Sequence, residues 1–229
     1  MKTGTRLRAF ATDFDGTLAH DGTVADETLS RLVRLKMAGL TVLMVTGREI
    51  EDLSRIFTHM DLFDMVVAEN GGLLYSPKDK IVQRLAEPPP SSFVERLMAN
   101  HVGPIAVGHT IVATWEPHQD AVLATIKELG LELQIIFNKG AVMILPPGVN
   151  KASGLSAALD HFGIKPAEVV AVGDAENDHA MLALCGFPVA VANALPAVRK
   201  RAKYVTHAGH GEGVSELIDL ILQPDFTLP

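Results

Sequence analysis

Two aspartates one residue apart, Asp13 and Asp15, lie in the run Asp13-Phe14-Asp15-Gly16-Thr17-Leu18, directly after the apolar stretch 7–11. Like-charged neighbours at the end of a strand are costly, and a divalent cation is their natural neutraliser. A cation held by Asp13, the backbone carbonyl of Asp15 and a later carboxylate keeps coordination positions for water and phosphate. Asp13 is then placed to attack phosphorus in line and form an aspartyl-phosphate. Asp15 protonates the leaving oxygen and afterwards deprotonates the water that releases phosphate. Gly16 permits a tight turn whose neighbouring amides face an anion. The competing reading of the pair is an ordinary turn or helix cap.

Three further groups carry residue types suited to the same chemistry. Thr46-Gly47-Arg48 follows the apolar run 40–45. A hydroxyl and a Gly amide at a strand end can bind phosphate oxygens, with a plain strand-to-helix turn as the alternative. Lys151 precedes the helical stretch 152–162. A lysine beside the nucleophile offsets the charge of a transferring phosphoryl group. A cation at a helix start opposes the macrodipole, which argues for a functional reason over a solvated surface. Gly173-Asp174-Ala175-Glu176-Asn177-Asp178 follows the apolar run 169–172. Asp174 is the remaining metal ligand, and Asp178 reaches the metal directly or through its water. Asn177 orients the loop or the phosphate side, and an acidic surface turn is the alternative.

The elements that must position these groups alternate along the chain. Apolar runs at 7–11, 40–45, 65–68, 169–172 and 188–191 read as buried strands, with helix-period stretches at 25–39, 50–60 and 178–184 between them. This rhythm predicts an α/β fold, a parallel sheet with helices on both faces. Ligands of such sheets bind beyond the carboxyl ends of the strands, where all four groups fall. The middle of the chain differs. Glu87-Pro88-Pro89-Pro90 is a stiff punctuation mark, with Ser91-Ser92 as a helix N-cap. Helices at 92–100 and 121–129 and strands at 105–107, 111–115, 131–137 and 141–145 follow, the last two a hairpin around Asn138-Lys139-Gly140. Residues 85–148 are therefore expected to be a small α+β insertion, with 1–84 and 149–229 forming the larger domain.

Composition narrows the function classes. The 229 residues are 48% hydrophobic and 21% charged, ordinary for a globular chain with a real core. A net charge of -7 argues against nucleic-acid binding by phosphate neutralisation and against a polybasic membrane surface. The single Cys185 permits no internal disulfide, which fits a cytoplasmic location, and it reads as a small buried residue. Met1-Lys2-Thr3-Gly4 is followed by no apolar signal segment.

These residues and their order resemble the haloacid dehalogenase superfamily, in its phosphatase branch. Asp13 to Thr17 looks like the first motif, Thr46-Gly47-Arg48 the second, Lys151 the third, and Gly173-Asp174 through Asn177-Asp178 the fourth. The resemblance implies a Rossmann-like core carrying a mobile cap, Mg2+ as cofactor and a small phosphorylated metabolite as substrate. It implies Asp13 as nucleophile, Asp15 as acid/base, Thr46 as phosphate binder, Lys151 as partner of phosphate and nucleophile, and Asp174 as metal ligand. About thirty residues separate Asp15 from Thr46, room for one loop and one helix, and about a hundred separate Arg48 from Lys151. That spacing looks like the family's C2B cap. Asn70-Gly71-Gly72 after Glu69, 163–174 and 211–217 are similar to the Cof-type subgroup, which includes phosphoglycolate and sugar-phosphate phosphatases. Asp15 favours phosphoester hydrolysis, because dehalogenases and the ATPase members lack that acid/base.

Two rival readings share these features. A phosphomannomutase-like phosphomutase needs arginines to grip a second phosphate, and only Arg84 and Arg96 lie near or in the insertion. A non-catalytic binding protein would be expected to have lost Asp13, Asp15 or Asp174. His207 and His210 read as parts of a glycine-rich loop rather than a zinc set. His109 and His118 are candidates to face substrate. Trp115 reads as packing rather than a sugar platform, and Asn138 and Lys139 at the hairpin tip as a solvated turn, with a reach down to the substrate as the alternative. The chain is expected to be a monomer or a homodimer.

Overall fold

The computed structural model describes residues 6–224 and 226, so the Met1 to Gly4 reading lies outside the described residues. In chain order the strands and helices are β1 (Ala9–Thr12), α1 (Asp26–Met37), β2 (Thr41–Val45), α2 (Ile50–Ile56), β3 (Met65–Ala68), β4 (Leu73–Ser76) and β5 (Ile81–Arg84). Then come α3 (Ser91–Ala99), β6 (Ala106–Val107), β7 (Val112–Trp115), α4 (Gln119–Glu128), β8 (Gln134–Asn138) and β9 (Ala141–Leu145). The chain finishes with α5 (Lys151–Phe162), β10 (Val169–Gly173), α6 (His179–Leu184), β11 (Phe187–Ala190), α7 (Pro196–Arg199), β12 (Tyr204–Val205) and α8 (His210–Ile221).

An eight-stranded sheet runs β12-β11-β10-β1-β2-β3-β4-β5. Its first six strands are parallel, and β4 and β5 are added antiparallel. Strands β1, β3 and β10 are buried along their whole length, as strands covered on both faces must be. Helix α1 shows how sequence dictates one covering layer. Leu29, Leu32 and Leu35 recur at helical spacing and are buried, and Asp26 and Glu27 start the helix while Arg34 and Lys36 end it. Gly39 follows with a φ of +81°, a turn that glycine adopts freely.

A second sheet, antiparallel and ordered β6-β7-β9-β8, stands apart. Helices α3 and α4 close one side of it around Phe93, Leu97, Val112, Val122, Val142 and Ile144. The protein is thus an α/β Rossmann-like body with an inserted α+β cap. Among the described residues no helix is long and apolar enough to cross a membrane. Cys185 is buried, and burial pushes its thiol up to about 12.

Several local expectations need correction. Residues 50–60 are not one helix: α2 stops at Ile56 because Phe57 turns extended and packs edge-on against Phe14 and Phe63. Pro90, not a serine, precedes α3, and Ser91 is already helical with no capping side-chain bond. The stretch 209–213 is not a loop but opens α8, whose Val214, Leu217, Ile218 and Ile221 are buried at helical spacing. The short strand β12 precedes it.

Candidate active site

The site is assembled at the carboxyl ends of β1, β2 and β10 and the start of α5. Asp13 follows β1, is 4% exposed, and is tied to β10 by its amide, which donates to the Val172 carbonyl at 3.0 Å. Lys151 opens α5, whose N-terminus is capped by Asn150 Oδ1 accepting from the Ala152 and Ser153 amides. The cap fixes where the lysine begins, and its ammonium is fully buried between two carboxylates. Nζ donates to Asp13 Oδ1 at 2.5 Å and to Asp178 Oδ1 at 2.6 Å. The other oxygen of Asp178 accepts from the Asp174 and Ala175 amides, both at 2.9 Å, which fixes the β10–α6 loop. Gly173 is required there, since a Cβ would lie 2.7 Å from Asp178 Cγ. Asp174 Oδ1 accepts from Thr17 at 3.1 Å.

Electrostatics follow from this crowding. Burial, with the Asp178 and Asp174 charges adding to it, pushes the Asp13 carboxyl up to about 8 against the pull of Lys151. Burial and Asp178 also raise Asp174, against hydrogen bonds from Lys139 and Thr17. Burial works against the Lys151 charge, but Asp13 and Asp178 outweigh it and hold the ammonium above the usual lysine range. Asp13, Asp174 and Asp178 each offer an oxygen within 4.8 Å of the others. An all-carboxylate set of like charges packed this closely fits a hard divalent cation such as Mg2+.

The second group lies beside the first. Thr46 is fully buried, and its Oγ1 accepts from the Arg48 amide at 3.1 Å, which leaves its own proton to donate. Arg48, expected at phosphate, forks instead onto Asp15, with Nε and Nη2 each 2.8 Å from a carboxylate oxygen, while Nη1 binds Asp52. The Asp15 carboxylate, expected as the acid/base, is therefore engaged by arginine. Its backbone carbonyl faces the Asp174 side, 3.4 Å from Lys139 Nζ. Gly47 lies near Asn177, whose Nδ2 donates to Asn70 Oδ1 at 3.0 Å. Asn177 Oδ1 and Asn70 Nδ2 are buried without a protein partner.

A cavity of about 540 Å³ lies between the two sheets, bordered on the body side by Asp15, Gly47 and Arg48. Trp115 lines it and is 54% exposed, so it is not the packing residue expected. His109 and His118 do not face it: His109 bonds Glu51 at 2.8 Å and His118 bonds the Gly103 carbonyl. Arg96 is paired with Glu128 and lies outside it too.

Sequence reasoning missed two contacts. Lys139 is no solvated turn: from the β8–β9 hairpin it reaches Asp174 Oδ2 at 2.5 Å. Glu69, fully buried after β3, accepts from the His109 amide at 2.9 Å, the Thr110 amide at 2.6 Å and the Thr110 hydroxyl at 2.8 Å. The signals for Glu69 were a charged residue ending an apolar run and its place before Asn70-Gly71-Gly72, and neither pointed to the cap.

Comparison with known proteins agrees with this architecture. The family model described as haloacid dehalogenase-like hydrolase matches residues 10–102 and 108–218. A phosphoglycolate phosphatase of Methanothermobacter thermautotrophicus is 32% identical over 93% of this chain and 97% of its own. A haloacid dehalogenase-like hydrolase from Bacteroides thetaiotaomicron superposes with a TM-score of 0.79 at 20% identity, covering 95% of this chain and all of that one. A subclass IIB sugar phosphatase of the superfamily gives 0.70 at 22% identity, covering 93% of this chain and 98% of that one. With the motif order, the strand-end cluster and the inserted cap all in place, the chain belongs to the haloacid dehalogenase-like hydrolases.

Proposed function

We propose that the protein is a Mg2+-dependent phosphatase that hydrolyses a small phosphorylated metabolite through an aspartyl-phosphate on Asp13. The observation that carries this reading is one buried cluster of Asp13, Lys151, Asp174 and Asp178 beneath a cavity bordered by Asp15 and Arg48. Asp13, Asp174 and the Asp15 carbonyl would hold the metal, with Asp178 fixing Lys151 and the loop. When bound, Mg2+ neutralises phosphate charge and orients the phosphoryl group.

The chain's own residues account for the remaining chemistry. Lys151 holds one oxygen of Asp13 and leaves the other to attack phosphorus, while the bond from phosphorus to the leaving oxygen breaks. Asp15 gives that oxygen its proton. A phosphoryl group bound by the Thr46 hydroxyl and Gly47 amide offers Arg48 a competing anion. One fork bond shifts to it and frees an Asp15 oxygen, which takes up a proton from solvent water and then donates it to the leaving oxygen. Asp15 then takes a proton from water, whose oxygen attacks phosphorus, releases phosphate and restores Asp13. Residues 85–148 act as the cap that excludes bulk water and reads the leaving group. The relatives named above act on phosphoglycolate and on a sugar phosphate, and a small phosphorylated acid or sugar fits a cavity of this size. The phosphomutase alternative gains no support, since neither Arg84 nor Arg96 lines the cavity.

The test is release of inorganic phosphate from phosphoglycolate and a sugar-phosphate panel, before and after chelation and with Mg2+ restored. Metal-dependent release is expected. Isomerised sugar phosphate without free phosphate, or no turnover of any compound, contradicts it.

A further inference from the structure

We propose that Lys139 is the specificity-determining residue of the cap, a tethered cation exchanged between Asp174 and a negatively charged leaving group. The inference rests on the phosphatase reading and deepens it.

Lys139 and Gly140 are the two central residues of the β8–β9 hairpin, and both have positive φ, +48° and +86°. That is what a two-residue turn between twisted strands requires, so the turn aims the side chain. The tip is also docked, the Lys139 amide lying 3.4 Å from Glu176 Oε2. From there Nζ reaches Asp174 Oδ2 at 2.5 Å and the Asp15 carbonyl at 3.4 Å. A Cβ on Gly16 would lie 2.3 Å from Nζ, so glycine at that position makes room for the lysine.

The surroundings give this cation its selectivity. The cap contributes Ile105, Ile111, Thr114, Trp115, Asn138 and Met143 to the cavity wall, and Lys139 is its one charged residue among the described lining. On the body side Arg48 is committed to Asp15 and Asp52, and Arg55 pairs with Asp52 at 3.3 Å. Lys139 is held by a single carboxylate oxygen, and its side chain is 45% exposed. Asp174 Oδ1 is bonded to Thr17 and Oδ2 carries the ammonium, so a metal bound through Oδ2 competes directly with Lys139. Once Asp174 serves as a ligand, the ammonium has to leave it. The cavity that Lys139 and Asp15 both line receives it, on the side where Asp15 serves the leaving group. A leaving group with a carboxylate one carbon from the ester oxygen meets it there, and a neutral leaving group does not.

The test compares the unaltered chain with Lys139→Gln and Lys139→Arg on phosphoglycolate and on the neutral 2-hydroxyethyl phosphate. The ratio of kcat/KM for the two compounds is expected to fall by at least about tenfold in Lys139→Gln, chiefly through KM, and to be largely kept in Lys139→Arg. In a second arm, Mn2+ is titrated without substrate and followed by electron paramagnetic resonance. Lys139→Gln is expected to bind Mn2+ several-fold more tightly than the unaltered chain, because the internal competitor for Asp174 is gone. An unchanged selectivity ratio, or Mn2+ affinity equal in the two proteins, overturns the inference. Failure of the unaltered chain on both compounds while it releases phosphate from sugar phosphates overturns the inference; failure on the whole panel overturns the phosphatase reading instead, and the Mn2+ arm then still decides the competition at Asp174.

Discussion

The body and the cap handle charge in opposite ways. In the body, Asp13, Asp174, Asp178 and Lys151 are all nearly or fully buried, and their partners are fixed by strand ends and a capped helix. In the cap, the one charge that reaches the site comes from a hairpin tip and is nearly half exposed. The main core cluster of the cap is also small, eight buried apolar residues against the continuous cluster of the body. Chemistry that must be pre-organised to a fraction of an ångström is placed on rigid elements, and recognition that must open and close is placed on a thin, separately packed layer. The two meet through few groups, chiefly Glu69 with Thr110 and Lys139 with Asp174.

This contrast can be broken at either side. The largest effect is expected at Lys151. Lys151→Met leaves Asp13 and Asp178 buried without their cation, and should cost about 3–5 kcal/mol of stability. Urea unfolding measures it, and added Mg2+ should restore part of the loss. An unchanged midpoint would mean that the acid cluster is not the strained centre of the body.

A smaller effect is expected where the layers join. Glu69→Ala removes the acceptor of three cap donors and should cost about 1–3 kcal/mol. Amide hydrogen exchange should rise across 106–115 and stay slow in β10. Equal acceleration in both would show that cap and body open as one unit, contrary to the contrast drawn above.

Much of the body was legible in the sequence, for physical reasons. A strand buried on both faces must be an unbroken apolar run, and β3 matches its expected span to the residue. The chemistry-bearing loops were legible because parallel strands place all their carboxyl ends together. The hairpin β4–β5 was not seen. Its outer strand, Ile81–Arg84, is exposed throughout and shows no alternation to read. The end of α2 was missed because an aromatic contact, not a breaker residue, stops it. The contacts of Glu69 and Lys139 could not be read from the sequence for a different reason. Their partners lie 41 and 35 positions away, on another layer, and only the docking of the layers brings them together. Arg48 was read as a phosphate ligand from its motif, and its distant partner Asp15 appears only in the fold.

The central claim is that Asp13 is the nucleophile of a phosphatase, held ready at an energetic cost. Phosphate release by Asp13→Asn, measured beside its melting temperature, tests both halves together. The account predicts turnover reduced by about 10⁴-fold or more, with a melting temperature equal to or above that of the unaltered chain, because one mutually repelling carboxylate has been removed. A variant that keeps a tenth or more of its turnover would contradict it.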